Sequence, residues 1–244
     1  MAIPAFTHIV PLGANCRLAY QVRTCFATWK VYPFDWWISP LDGLRRYLAD
    51  PDPGRLFAAG ALEEMTVQGR AAAIRSREYG FRMFHEFPRR PDPSGATAVK
   101  AGWQSHVAAA AKKHRRLLER LLGLNRRGNL ILFVRHLFEN NPEAEGWRDP
   151  SPAIASLWEV LLSRWGQAEP WLLLVNIPAA RPPADRVLIL NFDDPPGMPP
   201  DSWKGETWHW QAAFGSLGLT LRPRFSFRLG RPPQTPKMTN GDNV

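Results

Sequence analysis

The chain has 244 residues, a formal net charge of +9 and only two cysteines. Two cysteines exclude a disulfide framework, and no run approaches the roughly 20 apolar residues of a membrane span. The first residues lack the basic flank and long apolar stretch of a signal peptide, so we expect a cytoplasmic protein. The basic residues are spread without zinc-finger spacing or an aromatic RNA-binding signature, so specific nucleic-acid binding is not expected. A basic surface could equally recruit an anionic glycan or a phosphorylated substrate.

The first predicted element is a short buried strand at Ile9–Leu12 that breaks at Gly13. Asn15 is a good N-cap for the helix predicted to follow, which places Cys16 at a helix N-terminus. There, unpaired amide N–H groups and the helix dipole favour a thiolate and can donate to an oxyanion. The alternative is that Cys16 is a small buried hydrophobe, which is how we interpret Cys25.

The aromatic segment Trp29–Pro40 predicts extended backbone whose rings pack into the core, followed by a short helix at Leu41–Ala49. A carboxylate among such rings needs partners, so Asp35 should bond backbone amides, an Arg or a His. On this interpretation Asp35 orients either His85 or the loop after the first helix. The alternative is an ordinary turn or cap aspartate.

Two weak strands are predicted at Glu64–Gln68 and Ala71–Arg75. Glu78–Phe87 then places apolar side chains at every second position, which is typical of a half-buried strand and puts His85 on its apolar side. A nucleophilic Cys needs a His, and His85 is the preferred candidate base. His136, just after a buried strand, is the rival. The remaining histidines are less suitable: His8, His106, His114 and His209.

Further along the chain we expect a loop at Pro88–Gly95, the longest helix from about Ala98 to Leu124, and an inner strand at Leu130–Arg135. A loop at Glu139–Pro152 precedes a helix from about Pro152 to Trp165.

A buried strand at Trp171–Asn176 completes a strand–helix–strand unit, which favours a parallel pair. Another strand is expected at Arg186–Asn191, turns at Asp193–Pro200, and then a helix and a last strand. The helix is predicted at Trp210–Gly215 and the last strand at Leu219–Phe227. The sequence therefore predicts one α/β domain over residues 1–228, with α+β as the alternative class, and a mobile tail over residues 229–244.

Four motifs occur in a characteristic order: Gly13-Ala14-Asn15-Cys16, Pro33-Phe34-Asp35-Trp36, Phe84-His85-Glu86-Phe87 and Leu132-Phe133-Val134-Arg135. Over roughly residues 7 to 140 the chain resembles a bacterial family of unknown function that is assigned as papain-like cysteine peptidases. The resemblance implies a papain-like thiol fold, a central sheet with the nucleophile Cys16 at the N-terminus of the first helix, and His85 as base. In papain-like enzymes the orienting residue usually follows the His in sequence, so Asp35 would be an out-of-order third member. Glu86 is a worse candidate, because it faces away from His85 on an ideal strand. Asn15 or the amide of Cys16 could serve the oxyanion.

The preferred hypothesis is a cytoplasmic thiol hydrolase or acyl-transfer enzyme that acts on an amide or ester bond. Cys16 and His85 are predicted to form an ion pair or a hydrogen-bonded pair. The substrate is an unidentified peptide, glycan or acyl compound, and no cofactor or metal is expected. The alternative is a non-catalytic binding or accessory protein of surface-polysaccharide assembly. A Rossmann-like nucleotide-binding domain is less suitable, because no Gly-x-Gly-x-x-Gly or phosphate-loop sequence occurs.

Overall fold

The computed structural model describes residues 2–67, 69–91, 97–136, 150–177, 182–198 and 202–222. The described helices are α1 Cys16–Cys25, α2 Leu41–Ala49, α3 Pro53–Leu56, α4 Val107–Leu122, α5 Ser151–Trp165 and α6 Thr207–Ser216. The described strands are β1 His8–Pro11, β2 Trp37–Ile38, β3 Leu62–Val67, β4 Arg70–Ser76, β5 Arg82–Met83, β6 Arg89–Pro91, β7 Thr97–Val99, β8 Leu130–His136, β9 Glu169–Val175 and β10 Val187–Leu190.

A parallel sheet in the order β1-β8-β9-β10 lies at the centre of the molecule. His8 pairs with Ile131, and Leu130 pairs with Glu169, so both neighbours of β8 run in its direction. The continuous apolar run of β8 is buried along its whole length, which is what a strand covered on both faces requires. The α/β class and the parallel pair joined by α5 are therefore confirmed.

The two faces of the sheet belong to separate apolar clusters. Ile131 and Phe133 pack with side chains of α2, α4, α5 and the second sheet. Leu132 and Val134, which point to the opposite face, pack with Leu18 of α1 and with α6. The alternation of side chains along β8 thus puts α1 on one face and the aromatic core on the other.

A second, antiparallel sheet has the order β2-β5-β4-β3. The predicted strand at Glu78–Phe87 is wrong except for Arg82–Met83, because a turn after β4 occupies its first half. The Ser76 N–H donates to the Phe81 carbonyl over 2.8 Å, and Gly80 adopts a positive φ of 68°. A bend follows at residues 84–87.

The longest helix also begins later than predicted. Thr97–Val99 pairs with Arg89–Pro91 in a hairpin, so part of the predicted loop at Pro88–Gly95 is also strand. Gly102 then turns the chain with a φ of 76°, and a 3-10 turn leads into α4 at Val107. Local helix propensity over residues 98–106 is therefore overridden by strand pairing and a glycine turn.

Several predictions lie wholly or partly outside the described residues. They include most of the loop after β8 and the mobile tail over residues 229–244. Of the predicted last strand, the described part forms one isolated bridge between Leu221 and Phe6. Within the described ranges, no helix combines the length and apolar character needed to cross a membrane.

Candidate functional site

The candidate site begins where β1 ends. Asn15 has extended backbone and its side-chain oxygen accepts the Arg17 N–H over 3.0 Å, so it caps α1 and Cys16 is the first helical residue. The loop from Gly13 to Asn15 lies at the carboxyl edge of the parallel sheet, which is the edge where α/β proteins bind ligands. The predicted cap and the predicted position of Cys16 are both confirmed.

Two backbone hydrogen bonds hold the loop to the end of β8. Ala14 N–H donates to the His136 carbonyl and His136 N–H donates to the Gly13 carbonyl, each over 2.9 Å. Gly13 has a φ of 90°, and a Cβ at this position would lie 2.1 Å from Ser39 Oγ. The close approach and the positive φ together require glycine here.

Buried polar side chains support the loop from the aromatic face. The guanidinium of Arg135, which is fully buried, donates to the carbonyls of Leu12 and Ser39 over 2.9 Å and 2.7 Å. Ser39 N–H in turn donates to the Ala14 carbonyl over 2.8 Å. This network fixes the backbone that leads into Cys16, and the sequence analysis did not predict it.

The Cys16 thiol is half-buried, and burial raises its pKa above the ordinary value. The N–H groups of Cys16 and Arg17 and the positive charge of Arg17 lower that pKa but do not reverse the effect of burial. The expected thiolate is therefore not the resting form near neutral pH. Cys25 packs against the apolar cluster that α1 and α6 form on one face of the parallel sheet, and burial raises its pKa to about 11.

His85 lies in the bend after β5, and its side chain is exposed instead of facing the core as predicted. Among the described residues, no hydrogen bond joins the Cys16 thiol to His85 or to any other imidazole, so the predicted pair is not formed in this structure. The His85 ring packs against Trp36 at 6.0 Å between centroids. Partial burial and the charge of Arg89 lower the pKa of His85, which leaves its imidazole neutral near neutral pH.

Asp35 is 1% exposed, and its carboxylate has the ion pair and the backbone hydrogen bond that a buried acid needs. One of its carboxylate oxygens accepts the Arg23 guanidinium and also the Tyr32 N–H, the latter over 3.0 Å. Burial nevertheless raises the pKa of Asp35 to about 6. The described contacts of Asp35 thus fix the end of α1 to the aromatic segment, and none of them is with His85.

A second polar cluster, which no local sequence pattern predicted, lies on the α1 side of the sheet edge. Asp194 accepts Arg17 Nη1 over 3.0 Å and Trp210 Nε1 over 2.8 Å. His136 Nε2 lies 3.4 Å from the same carboxylate. Burial and the charges of Arg17 and Arg135 lower the pKa of His136 to about 3, so the rival base is neutral and difficult to protonate.

Residues 202–205 form a strap across α1. Arg17 donates from Nε to the Trp203 carbonyl over 3.0 Å, and Gln21 donates to the Lys204 carbonyl over 2.6 Å. The strap places the Trp203 ring 5.6 Å from Tyr20 of α1. A conspicuous signal for this arrangement was available in the sequence, since tryptophans without an apolar periodicity recur at residues 203, 208 and 210.

A cavity of about 570 Å³ lies elsewhere, at the amino end of β1. It is lined by His8, Trp29, Arg120 and Arg222 among others. The amino end of β1 is the opposite edge of the sheet from Cys16, so this cavity does not supply a binding site for chemistry at the thiol.

Comparisons with known proteins provide no relative from which a function could be transferred. The chain matches no protein-family model, no curated protein and no solved structure at a significant level.

Proposed function

We propose that this protein is a papain-like cysteine hydrolase or acyl-transfer enzyme whose nucleophile is Cys16. The observation that carries the proposal is the position of the thiol. Cys16 is half-buried and is the first residue of a capped helix. The loop before it is fixed by buried hydrogen bonds at the carboxyl edge of a parallel sheet. Helix N-termini supply free N–H groups that stabilise a developing oxyanion. Asn15 supports the site by fixing the first turn of α1.

His85 is the proposed base. It is neutral near neutral pH, so it is in the form that accepts a proton, whereas protonation of the buried His136 is much less favourable. In the proposed reaction, the Cys16 sulfur bonds to a carbonyl carbon while the thiol proton passes to His85. The bond to the leaving oxygen or nitrogen then breaks, and that atom takes the proton. Water, or an acceptor hydroxyl, cleaves the thioester and restores the thiol.

The raised pKa of Cys16 and the lack of a described bond to an imidazole favour a second candidate, a non-catalytic binding protein of surface-polysaccharide assembly. In that case the buried network around Gly13 serves only to fix the loop. Hydrogen bonds at catalytic sites are often long without substrate, so the geometry is compatible with both candidates.

A pre-steady-state burst with p-nitrophenyl acetate separates the two candidates. The enzyme proposal expects stoichiometric release of nitrophenol and an acetyl group on Cys16, identified by mass spectrometry. Cys16→Ala should abolish the burst, and Cys25→Ala is the matched control that should retain it. A burst of equal size in wild type and Cys16→Ala would exclude Cys16 as the nucleophile.

The base is tested with the same assay. His85→Ala should slow acylation about 10²- to 10⁴-fold, the usual contribution of general base catalysis. His136→Ala is the comparison variant, because the structure makes His136 a difficult proton acceptor. A loss of acylation in folded His136→Ala but not in His85→Ala would transfer the role to His136.

A further inference from the structure

An aromatic row runs along the surface beside α1. It consists of Tyr20, Trp203, Trp36 and His85, whose successive ring centroids lie 5.6 Å, 6.4 Å and 6.0 Å apart. The four rings come from α1, the strap, the segment before β2 and the bend after β5. Tyr20 and Trp36 are half-buried, His85 is exposed, and Trp203 is 39% exposed.

The helical repeat places Cys16 at one end of this row. Cys16, Tyr20 and Arg23 are spaced by four and three residues and so share a face of α1. Tyr20 contacts Trp203 and the Arg23 guanidinium lies 5.2 Å from the centre of the Trp36 ring, so this face is turned toward the row. The His85 ring is the last member of the row and contacts Trp36.

Two cations accompany the rings. Besides Arg23 over Trp36, Lys204 Nζ lies 5.2 Å from the Tyr20 ring centre and 5.6 Å from that of Trp203. Asp35, the acid paired with Arg23, is buried behind the row. The charge of Arg23 is balanced by Asp35, so the row is an aromatic surface whose second cation is Lys204.

We infer that the aromatic row binds an acidic glycan that carries an acyl group, and that Trp203 is its main specificity residue. This inference rests on the proposed acyl chemistry at Cys16. A sugar ring presents C–H groups that pack on an indole face, and a carboxylate at the ring edge suits the Lys204 ammonium. An O-acyl group also puts a carbonyl carbon close to the sugar ring, so a sugar on the row brings that carbon toward the thiol.

The ring geometry favours a glycan over a single-stranded nucleic acid, which also binds cationic aromatic surfaces. Neighbouring rings of the row meet at 61° to 78°, so they present alternating faces and edges. Successive bases stack best on rings that offer separate open faces along a groove. A puckered sugar with polar edges fits the alternating surface better.

In the reaction inferred, the Cys16 sulfur bonds to the acyl carbon and the ester C–O bond breaks. The thiol proton ends on the sugar oxygen, which leaves as a hydroxyl. Water then converts the thioester to a free acid and the thiol. No oxidant, reductant or metal takes part.

Binding is measured by calorimetry with the full chain carrying Cys16→Ala, so that the probe is not consumed. The probe is acetylated oligogalacturonate, and the comparison ligands are a malto-oligosaccharide and oligothymidylate. Adding Trp203→Ala should weaken oligogalacturonate binding about tenfold, the loss of roughly one aromatic contact. Trp29→Ala is the matched control, since Trp29 is 89% exposed and outside the row. Trp203→Phe keeps a ring and should bind with intermediate affinity, which guards against a folding defect in the alanine variant.

Lys204→Gln should weaken binding of oligogalacturonate and make that binding less dependent on salt, without affecting the neutral sugar. The inference is overturned if Trp203→Ala binds as tightly as its parent, if the neutral sugar binds equally well, or if oligothymidylate binds more tightly. A nitrophenyl acetate burst without glycan binding would reject this inference and leave the proposed function standing. Glycan binding that depends on Trp203 without a burst would reject the enzyme and support the row as a binding surface.

Discussion

Replacement of Asp35 by asparagine tests the balance between burial and ion pairing at the end of α1. Asp35 is 1% exposed, and its carboxylate faces the Arg23 guanidinium and the Tyr32 N–H. Burial raises the pKa to about 6 even though both partners, and the charge of Arg120, act to lower it. Desolvation of the carboxylate therefore outweighs its attractions in the folded protein.

The raised pKa fixes the sign of a pH effect on stability. The ordinary pKa of this carboxyl is 3.8, so the unfolded chain releases the proton at lower pH than the folded chain does. Tighter proton binding by the folded protein adds to its free energy of unfolding. This added stability is complete below the unfolded pKa and is lost as pH rises through the folded pKa of about 6. A difference of about two pKa units at about 1.4 kcal/mol each gives about 3 kcal/mol. The amide of the Asp35→Asn variant cannot ionise, so the variant should not show this loss.

The assay is urea unfolding of wild type and Asp35→Asn, followed by tryptophan fluorescence at several pH values between about 4 and 7. The free energy of unfolding of wild type should fall relative to the variant by about 2–3 kcal/mol over this range, because pH 4 lies just above the unfolded pKa of 3.8. Asp42→Asn is the control: Arg45 and Arg46 lower the pKa of the exposed Asp42 below 3.8, so its difference from wild type should stay nearly constant between pH 4 and 7. The opposite result is a difference in the free energy of unfolding between wild type and Asp35→Asn that stays constant, or grows in favour of wild type as pH rises. That result would show that the Arg23 ion pair outweighs burial.

Two further predictions concern the site loop and its thiol. Cys16 should react with iodoacetamide before Cys25 does, because only Cys16 has nearby N–H groups and a cation opposing the effect of burial. Both labelling rates should rise with pH. Mass spectrometry of the labelled peptides measures the two rates, and faster labelling of Cys25 would contradict the prediction. Gly13→Ala should cost about 2–4 kcal/mol of stability in urea unfolding, because a Cβ would overlap Ser39 Oγ at a positive φ. Gly60→Ala, at a φ of 76° with open space around the new methyl, should cost only about 1–2 kcal/mol, and equal losses in the two variants would contradict the steric argument.

Local patterns were sufficient where neighbouring residues decide the structure. The Asn15 cap and the start of α1 at Cys16 follow from side-chain-to-backbone bonding within one turn. The bounds of α2 at Leu41–Ala49 and the buried strands at β8 and β9 follow from propensity and apolar runs. These elements placed the thiol correctly at the end of β1, where the candidate site lies.

Tertiary structure decided what local patterns could not. Alternation predicted an inward His85, but pairing of only Arg82–Met83 with neighbouring strands ended the pleat and left the imidazole at the surface. Arg17 and Asp194 are separated by 177 positions, so no local pattern relates them, yet their bond connects α1 to the loop after β10. Burial also reversed the expected shift of the Cys16 pKa. Residue patterns were enough to locate α1, α2, β8 and β9, whereas solvent exposure and long-range charge, which set the chemistry, exist only once the chain is packed.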